Sequence, residues 1–138
     1  GGIPDVTTFI SQICLYVPRH SRLTFVPQLD VCSGLGANPA RKQGAAPVYL
    51  VSDLGQFDFE NGILRLTSYH PGVTVEQIRS HTGFDFEVAP DLHETPPPTD
   101  QELRLLRQEI DPLNIRQLEL LSGAPRRQLL AEILDKER

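Results

Sequence analysis

The apolar positions of the chain follow two different periods, which change at a run of prolines. Before residue 90 they come as short continuous runs or strict alternation, the mark of strands; beyond Pro96-Pro97-Pro98 they recur at helical spacing. Gln12-Ile13-Cys14-Leu15-Tyr16-Val17 is nearly unbroken and closes on Pro18, which predicts a strand covered on both faces, as in parallel sheets. Val48-Tyr49-Leu50-Val51 predicts a second buried strand and Gln56-Phe57-Asp58-Phe59 a half-buried one. Glu60-Asn61-Gly62 then predicts a tight hairpin, because Asn-Gly accepts the positive φ values of a type I′ turn, so residues 63–69 should return antiparallel. Phe84-Asp85-Phe86-Glu87-Val88 alternates apolar with acidic residues and reads as an edge strand. Residues 23–26 and 31–36 stay open between strand and turn, and residues 38–47 have loop composition.

Helix signals fall between and after these strands. Pro4 and Asp5 suit the first turn of a short helix through Val6 and Phe9. Thr74 is a good N-cap with Gln77 three residues on; Val73 and Ile78 occupy the staple positions, and Gly83 is expected to stop the helix in a left-handed conformation. Beyond the prolines, Thr99 and Glu102 form a capping box ahead of a Leu103, Leu106, Ile110 stripe that should end at Asp111-Pro112. Asn114 is expected to cap a further helix carrying Ile115, Leu118 and Leu121, and Pro125 to start one carrying Leu129, Leu130, Ile133 and Leu134. The expected organisation is an α/β domain over residues 1–90, a Pro-rich spacer over 91–98 and a helical extension over 99–138. Its fold class is α/β, with a mainly parallel sheet, flanking helices and one antiparallel hairpin.

Composition narrows the function classes. An apolar fraction of 39% in 138 residues supports a folded core. The net charge of −5, with no basic cluster beyond Arg41-Lys42 and Arg126-Arg127, argues against a nucleic-acid partner. No apolar run reaches the roughly 20 residues of a membrane span, so no membrane partner is expected. Cys14 and Cys32 are expected as small buried hydrophobes in a reducing, cytoplasmic setting. The sequence contains no methionine and opens on Gly1-Gly2, which suggests part of a longer chain.

Few residues point to chemistry. His20, His70, His81 and His93 lack metal-ligand spacing, so no metal is expected. Ser33-Gly34-Leu35-Gly36 lacks the third glycine of a dinucleotide fingerprint. His70 is expected to brace the turn at Pro71, since no nucleophile-elbow motif joins it to Ser68 and Asp53. Gly1 and Gly2 enter a helix, where backbone N–H groups can approach an anion closely; a ligand-free tight turn is the alternative.

His70-Pro71-Gly72-Val73-Thr74-Val75-Glu76, followed by Thr82-Gly83-Phe84, resembles the signature near the end of the beta subunit of family I coenzyme A-transferases. Gly1-Gly2-Ile3-Pro4-Asp5 is similar to the end of that family's glycine loop, and residues 48–57 resemble its following strand pair. Residues 95–99 and 102–112 resemble the tail of the glutaconate-transferase-like branch. The resemblance implies an acyl-CoA:carboxylate CoA-transferase working through a glutamyl-CoA thioester, with a coenzyme A thioester as substrate and no further cofactor. It implies an alpha-subunit partner in a hetero-oligomer, Gly1 and Gly2 as oxyanion or CoA-binding groups, and a nucleophilic glutamate in a Ser-Glu-Asn-Gly motif ahead of the glycine loop. That motif lies outside this chain, so the chain alone should be inactive, and Glu60 should be only a turn residue. The alternatives are a ring-cleaving hydrolase of CoA thioesters on the same fold, and a non-catalytic interaction subunit.

Overall fold

The computed structural model describes residues 2–137, which divide along the chain into two compact units between Pro96 and Pro97. The first unit holds one sheet whose strands lie side by side in chain order: β1 (Ile13–Val17), β2 (Pro47–Ser52), β3 (Gly55–Glu60), β4 (Ile63–Tyr69) and β5 (Glu87–Glu94). Helix α1 (Ile3–Phe9) precedes β1, and α2 (Val75–His81) connects β4 to β5. The α/β class expected from the sequence holds. The outer pairs β1·β2 and β4·β5 are parallel, and the inner pairs β2·β3 and β3·β4 antiparallel, so the sheet is evenly mixed and has a second hairpin. The reason is the turn at Ser52-Asp53-Leu54-Gly55. The Ser52 hydroxyl accepts the amides of Leu54 and Gly55 at 3.2 and 3.3 Å, closing the chain on itself between β2 and β3.

Alternation sorts the two faces of the sheet. Phe57 lies opposite Leu66 in the register, and both are fully buried together with Ile78 of α2. Burying each such side chain stabilises the fold by about 1.5–3 kcal/mol. Phe25, Leu50, Leu64 and Phe86 complete this core, with Phe57 and Phe86 packed edge to face at 5.9 Å. The opposite face is polar. Arg65 grips Asp58 with two parallel bonds, 2.9 Å from Nε to Oδ1 and 2.6 Å from Nη2 to Oδ2, and also reaches Glu60. The Tyr49 hydroxyl donates to the Gln56 side chain beside them.

Several expectations are corrected. β1 is not covered on both faces: Cys14 and Tyr16 are exposed, and Cys32 is exposed as well, so neither cysteine is a buried hydrophobe. A run of apolar residues encodes a tendency to be buried, and the cover is not supplied by these residues. No strand forms between residues 18 and 46, where the chain runs through turns. β5 starts later and runs further than expected, through Pro90 to Glu94, into the anticipated spacer. Leu66 lies opposite Val88 but Ser68 opposite His93, so β5 bulges around Pro90 and rejoins β4, as an edge position allows.

Beyond Pro97 the second unit is helical. Thr99 and Glu102 form the expected capping box at the start of α3 (Asp100–Arg104), which widens into a π-helical segment over Leu105–Ile110. Asn114 holds the expected N-cap position, left-handed at φ 59°, but its side chain makes no cap; the carboxylate of Asp111 takes that role by accepting the amides of Ile115 and Arg116. A 3₁₀ segment over Ile115–Glu119 follows, and α4 (Gly123–Lys136) ends the unit, with Ile133 buried.

Candidate functional site

Residues 70–83 fold into a clasp over the β2–β3 turn. Pro71 and Gly72 occupy the centre of a turn closed by the Val73 amide on the His70 carbonyl at 3.0 Å, with Gly72 at φ 80°, as a type II turn requires. Thr74 then caps α2, its hydroxyl accepting the Gln77 amide at 3.1 Å, while Ile78 enters the core and Val73 packs against it. Gly83 serves a purpose other than the expected one. Its φ is not positive; a Cβ there would lie 2.5 Å from the Phe25 carbonyl, which already accepts the Gly83 amide at 2.7 Å. Close approach demands the glycine.

Two histidines meet at Ser52. His70 Nε2 lies 2.9 Å from the Ser52 carbonyl, which can only accept, so this nitrogen carries the proton. Nδ1 then accepts from Thr95 Oγ1 at 3.1 Å, and Thr95 accepts in turn from Ser68 Oγ at 2.9 Å. The proton of Ser68 therefore points to a hydroxyl and not to a base, and Asp53 is bound elsewhere, accepting the His20 amide at 2.7 Å. Ser68, Asp53 and His70 do not make a triad. His70 braces the turn, as expected, and also ties β4 to the end of β5.

His20 is the residue whose importance the sequence did not reveal. Its ring is buried, stacked 3.7 Å from Phe25, with Nδ1 2.9 Å from Ser52 Oγ and Nε2 2.9 Å from Thr82 Oγ1. Thr82 donates to the Ile78 carbonyl at 2.8 Å, so it accepts from Nε2–H, and Ser52 donates to Nδ1. Burial lowers the His20 pKa from about 6.5 to about 4, more than Asp53 nearby raises it, and keeps the ring neutral. A lone histidine in the weakly patterned stretch after Pro18 gives no signal by which this role could be read.

Among the residues expected to bind a ligand, Gly1 lies outside the described residues. Gly2 precedes α1 with φ −78°, its carbonyl accepting the Val6 amide at 2.8 Å, and a Cβ there would meet nothing within 4 Å. It lines an open cavity of about 530 Å³ with Val6, Ile10 and Cys14. Glu60 ends β3 beside Asn61 at φ 52° and Gly62 at φ 80°, the left-handed pair of the expected turn, and its carboxylate is held by Arg65. His81 and His93 are both exposed, each bonded to a backbone carbonyl of its own segment. Among the described residues no group of three or more His, Cys, Asp and Glu is placed to hold a metal ion, and no helix is long and apolar enough to cross a membrane.

The mixed sheet with its flanking helices has the fold of a coenzyme A-transferase, and the chain is homologous to beta subunits of coenzyme A-transferases. No family model matches the sequence. Among curated proteins it is 38% identical over 114 residues to the cholesterol ring-cleaving hydrolase IpdB subunit of Mycobacterium tuberculosis, covering 78% of this chain and 46% of that one. It is 34% identical over 116 residues to a 3-oxoadipate CoA-transferase subunit of Pseudomonas knackmussii, covering 78% of this chain and 44% of the relative. The crystal structure of Rhodococcus jostii IpdAB matches with a TM-score of 0.73 at 35% identity over 88% of this chain and 51% of that chain. The decarboxylase AibA/AibB matches with a TM-score of 0.60 at 34% identity over 80% of this chain and 42% of that one. The chain thus spans about half the length of these relatives.

Proposed function

We propose that the chain is the beta-subunit portion of an enzyme acting on a coenzyme A thioester, in class an acyl-CoA:carboxylate CoA-transferase. The observation that carries this reading is the clasp: every residue of the His70 to Gly83 signature that the fold uses has a geometric task in it, and the relatives include a CoA-transferase subunit at 34% identity. In this reading the chain supplies scaffold. The attacking carboxylate is a glutamate outside these residues: it attacks the acyl-CoA carbonyl and expels the CoA thiolate, the thiolate attacks the glutamyl carbonyl of the resulting anhydride and releases the donor acid, and the glutamyl thioester gives CoA to a carboxylic acid acceptor by the reverse steps. Gly2, ahead of α1, together with Gly1 before it in sequence, is the part of this chain we assign to the thioester, and an alpha subunit completes the site.

A second reading is favoured by a specific observation. Identity to the IpdB subunits reaches 38%, and the IpdAB structure matches at a TM-score of 0.73, so hydrolytic ring cleavage of a CoA thioester on the same scaffold is the alternative. That one fold carries transferase, hydrolase and decarboxylase names supports a reading in which site residues, and not the sheet, choose the reaction.

Incubating the complete native assembly with an acyl-CoA and a carboxylate, then trapping with borohydride, separates the readings. Transfer of CoA to the acceptor, with a reduced adduct on a glutamate outside residues 1–138, supports the transferase. Consumption of a cyclic CoA thioester by water with no adduct supports the hydrolase. Inertness to CoA thioesters of both kinds would leave a non-catalytic interaction subunit.

A further inference from the structure

Between Asp30 and Asp53 the chain contains no acidic residue, and the only formal charges there are Arg41 and Lys42, side by side in a protein of net charge −5. The fold places both on the wall of one cavity of about 400 Å³, with Thr7 and Thr8 of α1 and Ser33 and Gly34. Ser33 and Gly34 belong to the glycine motif that falls short of a dinucleotide fingerprint.

Arg41 is held in place without being neutralised. Its Nε donates to the Gly36 carbonyl at 2.9 Å, and its Nη1 to the carbonyls of Thr7 at 2.8 Å and Gln43 at 3.4 Å. All three acceptors are uncharged, and the two Nη2 hydrogens have no partner among the described residues. Among the same residues no carboxylate pairs with Arg41 or with the exposed Lys42. The backbone is built to hold the pair there. Gly44, at φ 71°, runs so close to α1 that a Cβ on it would collide with the Thr8 carbonyl, and the Ala45 amide donates to the Ile10 carbonyl at 3.0 Å. Residues 41–45 are thus clipped along the end of α1, and a guanidinium fixed in this way loses little freedom on meeting a ligand.

We propose that the cavity is a binding site for a phosphate group carried by a small organic molecule, with Arg41 Nη2 and Lys42 Nζ as its charged donors and the Ser33 hydroxyl as a neutral one. A half-buried guanidinium bonded only to neutral carbonyls still calls for a counter-charge. Two adjacent cations match a doubly charged tetrahedral anion, whereas a single carboxylate would be satisfied by the guanidinium fork alone. Leu35 and Ala40, on the same walls, suit the organic body of such a molecule. Two sources have this chemistry: the phosphorylated adenosine end of coenzyme A, which rests on the thioester reading above, and a separate phosphorylated molecule, which does not.

Equilibrium dialysis of the complete native assembly against inorganic phosphate and against adenosine 3′,5′-bisphosphate, in about 0.15 M sodium chloride to screen loose surface attraction, tests the site. Both probes should bind saturably. Lys42→Ala should weaken them roughly 10-fold, as loss of one charge-assisted hydrogen bond predicts, and Lys42→Glu should abolish binding. Lys42 is exposed and unbonded among the described residues, so both variants should keep the thermal midpoint of the natural protein. Acetate at equal ionic strength should not compete. Displacement of the bisphosphate by coenzyme A would make the coenzyme the source, and its failure to displace would make the source a separate phosphorylated molecule; the site stands in both cases. Absence of saturable phosphate binding, equal affinity in the natural protein and both Lys42 variants, or displacement by acetate would overturn the proposal. Because the readout is binding, an assembly inert to CoA thioesters that still binds phosphate through Lys42 would end the thioester reading and leave this inference standing.

Discussion

His20 Nε2 lies 2.9 Å from Thr82 Oγ1, across 62 positions of sequence, and this bond joins the loop after β1 to the end of α2. The same ring accepts a hydrogen bond from Ser52 on its other side, so the two contacts fix its tautomer. Thr82→Val keeps the shape and removes the acceptor, leaving a buried N–H unpaired. The expected loss is about 1–3 kcal/mol, read as a lower urea midpoint of the assembly with an unchanged slope.

The neutral state of His20 makes a pH prediction. Its pKa is near 6.5 unfolded and about 4 folded, so below pH 6.5 the unfolded chain binds a proton that the folded chain refuses. The stabilisation is fully present above that pH and is lost as pH falls towards 4, to a limit of roughly 3 kcal/mol. Denaturation midpoints measured between pH 7 and pH 4 should fall in the natural protein. In His20→Gln this part of the slope should vanish; an unchanged slope would assign it to other groups.

Gly72 and Gly83 flank the same helix but are glycines for different reasons. Gly72→Ala has open space and suffers only the left-handed φ of 80°, a cost of about 1–2 kcal/mol. Gly83→Ala has an ordinary φ and drives a methyl against the Phe25 carbonyl, so it must displace the backbone pair that holds the clasp. Thermal midpoints should rank natural protein, Gly72→Ala, Gly83→Ala in descending order. The reverse order for the two variants would mean that the 25–27 segment yields easily.

Glu60 is held by Arg65 beside a two-residue turn, which is a structural post. In the complete enzyme Glu60→Gln should leave turnover within about twofold, whereas removal of a covalent nucleophile costs about a thousandfold or more. A loss of that size in a folded variant would make Glu60 the attacking carboxylate.

Thr74 tests the helix cap alone. Thr74→Ser keeps the oxygen that accepts the Gln77 amide and should be near neutral; Thr74→Ala should cost about 1 kcal/mol, seen as faster amide exchange in the first turn of α2.

The sequence by itself determined what is local. The Asn61-Gly62 hairpin, the Thr74 and Thr99 caps, the centres of β1 to β4 and the change to helices beyond the prolines all rest on backbone preferences and side-chain reach within a few residues, so they were legible without a structure. The 70–83 signature was legible as a motif, but its work was not. Only tertiary structure showed that Gly83 is required by Phe25, that Ser52 joins His20 and His70, and that the turn at residues 52–55 makes β2 and β3 antiparallel. Exposure escaped the sequence for the same reason. Cys14, Leu15 and Tyr16 carry the pattern of a buried strand, but cover is a property of neighbours distant in the chain or beyond it, and period alone records the tendency without naming the partner.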